Sequence, residues 1–102
     1  MTATARRYPT EKQFMGALID YLRLRQWEVY HTFDSRRSAP GFPDVIAARA
    51  GRIAAIETKS LTGKLSPAQE RWLGILGGVA CVEVFVLRPT EEDWMLIERA
   101  FK

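Results

Sequence analysis

Asp44, Glu57 and Lys59 are the residues of this chain best placed for chemistry, because each is a charged group set beside a run of small or apolar residues. Asp44 opens the run Asp44-Val45-Ile46-Ala47-Ala48, and Glu57 and Lys59 follow Ile53-Ala54-Ala55-Ile56. Two carboxylates held side by side in an apolar sheet repel each other and lose hydration, so one stays protonated unless a cation joins them. A hard divalent ion, Mg²⁺ with Mn²⁺ able to substitute, removes that conflict through carboxylate oxygens and water. Structural zinc is a poor match for a chain with one cysteine and one histidine. Lys59 can orient or polarise an attacking water and offset charge in a phosphorane-like transition state. The plainer reading is an Asp capping a turn and a Glu-Lys pair on an edge strand. It fits less well, since exposed strands alternate apolar with polar residues.

These side chains meet only if two strands bring them together. The near-continuous apolar runs predict strands covered on both faces and central in their sheet. Ala50-Gly51-Arg52 between them is short and contains a glycine, which predicts a tight hairpin and antiparallel neighbours. In the register where Arg49 faces Arg52, Asp44 falls opposite Glu57. A slip of one residue would carry Asp44 away from Glu57 and Lys59.

The remaining elements follow from capping and periodicity. Thr10-Glu11-Lys12-Gln13 reads as a capping box opening a helix to about Arg25, with Phe14, Leu18, Tyr21 and Leu22 on its apolar stripe. Glu11 sits in its first turn, where the helix dipole favours a carboxylate, and its spacing from Phe14 and Leu18 places it on or beside the buried stripe. Trp27 to Phe33 alternates as a strand nearer an edge, with His31 on its apolar side, expected near the scissile phosphate. Asp34 to Phe42 is a loop, in which Ser35, Arg36, Arg37 and Ser38 supply donors suited to phosphate oxygens and Gly41 permits close backbone approach. Lys64 suits a backbone phosphate. Ser66-Pro67-Ala68-Gln69 is a second capping box, opening a helix that ends at Gly77-Gly78 with Leu65, Trp72, Leu73 and Leu76 as core contacts. Val79 to Leu87 is a further strand, and Thr90 starts a last helix with Trp94, Ile97 and Phe101 on one stripe.

Pro43-Asp44 followed by Glu57-Thr58-Lys59 resembles the PD-(D/E)XK nuclease signature. The longer string from His31 to Asp44, with Leu65-Ser66-Pro67-Ala68-Gln69 downstream, is similar to the VRR-NUC branch of that superfamily. The resemblance implies a restriction-endonuclease-like α/β fold, an αβββαβ core with a mixed sheet flanked by helices, plus a C-terminal helix. It implies that Glu11 completes a metal site with Asp44, Glu57 and the Thr58 carbonyl, and that Gln69 lies near it. Thr58 stands where such proteins carry an aliphatic residue, which matters little if only its carbonyl is used. Stand-alone members look like phage Holliday-junction resolvases, which points to branched DNA.

Length and composition agree. The 102 residues, 47% hydrophobic with three Trp, predict one domain over 1–102 with a true core, residues 1–8 being a mobile basic arm. A net charge of +3 favours an anionic partner. Cys81, inside an apolar run, reads as a buried thiol, and a single cysteine makes no internal disulfide. With no membrane-length apolar run, a cytoplasmic setting in a bacterial or phage-infected cell is expected. No separate DNA-reading module is evident, so recognition of DNA shape is expected over recognition of a long sequence. Cutting both strands symmetrically requires two sites, hence a homodimer. The reading is a Mg²⁺-dependent, structure-selective DNA endonuclease needing no nucleotide cofactor. The rivals are a flap or restriction-type nuclease, a catalytically inactive nucleic-acid-binding module, and a non-nuclease structural metal domain.

Overall fold

The computed structural model describes residues 3–32 and 39–102. A short helix α1 (Ala3–Arg7), in the segment read as a basic arm, lies beside the C-terminal helix, with the Tyr8 ring 5.9 Å from Trp94. Helix α2 (Glu11–Leu24) starts where its sequence satisfies the first free amides. Gln13 N donates to Thr10 Oγ1 at 3.1 Å, and Thr10 N donates to Gln13 Oε1 at 3.2 Å, the reciprocal box expected there. Its inner face is Phe14, Leu18, Ile19 and Leu22, all buried.

Four strands form one mixed sheet in the order β1-β2-β3-β4: β1 (Glu28–His31), β2 (Val45–Arg49), β3 (Arg52–Thr58) and β4 (Val82–Leu87). The two apolar runs are the central strands, as their composition requires. The β2–β3 hairpin turns on Ala50 and Gly51, both at positive φ (49° and 81°), the sign a two-residue type I′ turn needs. That turn sets the register Arg49↔Arg52 through Val45↔Ile56. Continued one step, it puts Asp44 across from Glu57. A turn at the far end of the hairpin thus determines which carboxylates become neighbours.

β3 and β4 are parallel and joined by helix α3 (Pro67–Gly77), and helix α4 (Glu91–Ala100) follows. One sheet face carries Val45, Ala47, Ala54, Ile56 and Leu87, which pack with α2 and with Ile97 and Phe101 at the chain's end to form the core. Helix α3 lies against β4 on the opposite face. Among its expected core contacts, Leu65, Trp72, Leu73 and Leu76 are only half-buried, and α3 has no fully buried residue. A helix covering one side of a small sheet leaves much of its own surface wet.

One sequence reading is corrected here. Cys81 is exposed, because β4 begins at Val82, where it pairs with Ile53, and the apolar residues before it lie in a turn. Glu83, a charge within the apolar β4, receives two hydrogen bonds from Arg52 at 2.7 and 2.8 Å. Arg52 also lies over the Trp27 ring, so the pair ties β4 to the core edge. No described helix is long and apolar enough to cross a membrane.

Candidate active site

The chain enters β2 through a tight approach. Gly41 has φ 82°, and a Cβ placed on it would lie 2.3 to 2.6 Å from backbone atoms of Ala68 and Gln69, so this loop packs backbone to backbone on the first turn of α3. Phe42 meets Trp72 edge-on at 5.1 Å, and Pro43 is buried. Asp44 is thereby delivered to the end of β2 beside Glu57 and Thr58 of β3.

Glu11, Asp44 and Glu57 each bring a carboxylate oxygen within 4.8 Å of the others. Three elements supply them: the first turn of α2, the residue preceding β2, and the end of β3. Glu57 is 1% exposed. Its Oε2 accepts a 3.0 Å hydrogen bond from Gln69 Nε2 and lies 4.0 Å from Lys59 Nζ. Its Oε1 is buried and has no hydrogen-bond partner among the described residues. An acceptor without a donor in such a place is what a carboxylate awaiting a cation looks like. Burial first, and then the negative charge and contact of Asp44, push the Glu57 carboxyl up to about 8, with Lys59 acting in the opposite sense. Glu11 is also raised, by its own burial and then by Asp44, again against the pull of Lys59. Crowding of acids exceeds what one lysine offsets.

Gln69 does two things at once. Ser66 N donates to its Oε1 at 2.8 Å, as the capping box requires, which leaves Nε2 as the end aimed at Glu57. The cap and the site contact are one side chain in one orientation. Capping alone accounts for Gln69 in the sequence, and the tertiary contact adds its place at the site.

Thr58 departs from expectation. Its amide N and its Oγ1 both donate to Asp44 Oδ2, at 3.0 and 3.1 Å, so the hydroxyl orients the Asp44 carboxylate. Reading Thr58 for its carbonyl alone missed this. The available signal was the hydroxyl itself, in a position where an aliphatic side chain is usual. Replacing it with the isosteric valine removes one of two hydrogen bonds on Asp44. Thr58→Val is therefore expected to weaken divalent-ion binding about 10-fold, measured by calorimetric titration, with the fold retained.

The carboxylate cluster does not include the other expected residues that the structure describes, His31 and Lys64. His31 pairs with Val45 and lines a groove along α2 with Lys12, Met15, Ile19 and Arg23, outside the carboxylate cluster. Lys64 is exposed. Ser35, Arg36, Arg37 and Ser38 lie outside the described residues.

Comparison with known proteins bears on the family and the fold. The model of the VRR-NUC domain family matches residues 8–95, a span that includes Glu11, Asp44, Glu57, Lys59 and Gln69. A solved structure, a VRR_NUC domain protein, superposes with a TM-score of 0.67 at 16% identity, over 90% of this chain and 87% of that one. At that identity the likeness speaks for the fold, an α/β sandwich on a mixed sheet. No curated protein matches the chain. A VRR-NUC domain points to a nuclease of the PD-(D/E)XK type, a class that acts on DNA and generally uses divalent metal ions. With the match extending over most of its length, this chain belongs to the VRR-NUC domain family.

Proposed function

We propose that this chain is a Mg²⁺-dependent, structure-selective DNA endonuclease that hydrolyses phosphodiester bonds, acting as a homodimer on branched DNA such as a four-way junction. The observation that carries the reading is the carboxylate cluster of Glu11, Asp44 and Glu57, with one buried oxygen of Glu57 lacking a donor among the described residues and Lys59 Nζ 4.0 Å from the other. All-oxygen donors at this spacing fit Mg²⁺ or Mn²⁺. Asp44 and Glu57 would hold the ion with the Thr58 carbonyl, and Glu11 through water. When bound, the ion supplies Lewis acidity and lowers the pKa of water.

The chain's own groups do the rest. Gln69 and Thr58 keep Glu57 and Asp44 in the orientation the site needs. Lys59 presents a cation, on a side chain only 13% exposed, where negative charge would grow on the phosphate. His31 and Lys64, with Ser35, Arg36, Arg37 and Ser38 of the preceding loop, are assigned to the phosphate backbone flanking the cut.

One site cuts one strand, so paired cuts at a junction require a second copy related by a two-fold axis. Nicking of four-way, flap and linear duplex DNA in Mg²⁺, alongside the mass in solution, tests this. Preferential symmetric cutting of the four-way junction by a dimer is expected. Equal cutting of all three would overturn the junction preference and leave a nuclease of another specificity. Binding of DNA without any divalent-dependent cleavage would overturn the enzyme itself.

A further inference from the structure

We propose that Arg88 is a positioning residue for Lys59. It fastens the turn that follows β3, and that turn holds the lysine stem so that the ammonium stays at Glu57. The inference rests on the role given to Lys59 above.

The parallel pairing of β3 with β4 runs on past Thr58, with Lys59 N donating to Leu87 O at 3.0 Å. The residue that follows β4 is Arg88. Its Nη1 donates to the carbonyl of Ser60 at 2.7 Å and to that of Gly63. The turn is closed internally as well, by Gly63 N donating to Ser60 Oγ at 3.0 Å. A Cβ on Gly63 would lie 2.8 Å from Ser60 Oγ and 3.6 Å from Lys59 Cδ, so the turn rests against the aliphatic part of Lys59. Arg88 is itself anchored at its base. Its N donates to Asp93 Oδ2 at 2.7 Å, and Asp93 N donates to Thr90 Oγ1 at 3.1 Å, in the first turn of α4.

A lysine side chain has four rotatable bonds and does not hold a fixed direction unless something restrains its stem. Here the restraint is the Ser60–Gly63 turn, and guanidinium donors gathering two carbonyls hold that turn. No described hydrogen bond joins Arg88 to the carboxylate cluster, so its effect on catalysis passes through Lys59.

A double-mutant cycle tests this, with cleavage at saturating DNA in Mg²⁺, DNA affinity in Ca²⁺ and the melting temperature as readouts. In the wild-type background Arg88→Ala is expected to lower kcat by about 10- to 100-fold, the scale of a catalytic group displaced by about 1 Å, with DNA affinity changed less than about twofold. In the Lys59→Ala background the same change is expected to cost less than about twofold, because the group it serves is gone. Equal losses in the two backgrounds, or a loss confined to DNA affinity, would overturn the role of Arg88. An unimpaired Lys59→Ala enzyme would instead overturn the role of Lys59. Should Arg88→Ala not fold, Arg88→Met carries the same cycle, since it keeps the aliphatic stem and removes the donors to the Ser60 and Gly63 carbonyls.

Discussion

Glu57→Gln is expected to make the metal-free protein more stable and, at the same time, to remove its DNA cleavage. The carboxyl of Glu57 is raised from its ordinary 4.5 to about 8 by burial and by Asp44. A group whose folded-state pKa is raised contributes stability fully present below its unfolded pKa, and that contribution is lost as pH rises through the folded value. In a chelator, the wild type should therefore lose stability steadily between about pH 4.5 and about pH 8. The loss is on the order of a few kcal/mol for a shift of this size. An uncharged amide in the same space has no such loss, so the variant should melt at least about 5 °C higher than the wild type at pH 8 in chelator. Saturating Mg²⁺ narrows the gap by binding the wild-type site, with about 2.7 kcal/mol gained at an ion concentration 100 times Kd. Cleavage should fall by about 10³-fold or more, the several kcal/mol a metal contributes to transition-state charge. Thermal unfolding against pH, with and without Mg²⁺, checks all of this. Identical pH profiles for variant and wild type would show that Glu57 is not the strained acid of the site.

Lys59→Ala carries the second large effect. Its ammonium lies 4.0 Å from Glu57 Oε2. Loss of one preorganised donor at developing charge costs about 10²- to 10³-fold in kcat. Binding in the ground state depends on backbone phosphates spread along the duplex, so DNA affinity should change little. Single-turnover cleavage separates the two quantities. The metal-free variant should also be less stable than the wild type, because Lys59 is the group that opposes the raised pKa of Glu57 and Glu11. A variant that cleaves at the wild-type rate, or loses only affinity, would remove Lys59 from the reaction.

Much of the fold was legible from local chemistry. Capping boxes at Thr10 and Ser66 named the starts of α2 and α3 before any tertiary contact was known, because a cap is satisfied within four residues. The apolar runs of β2 and β3 identified central strands, and Ala50-Gly51 set their pairing, because a two-residue turn leaves one register. The acidic pair and Lys59 stood out for the same reason, as charges in an apolar context. Where the sequence misled, long-range contacts decided. The apolar run at Val79–Cys81 had the composition of a strand, yet β4 starts only where β3 offers a partner, so Cys81 is exposed.

The sequence alone therefore determined most of the elements, the hairpin register and the two facing acids, since each depends on residues close along the chain. Only the tertiary structure decided three further things: that Gln69 turns its amide to Glu57, that the Thr58 hydroxyl holds Asp44, and that Arg88 ties down the turn behind Lys59. These are contacts across 12 to 28 positions of chain. A side chain's direction across such a span is set by the packing of whole elements, which no local pattern records.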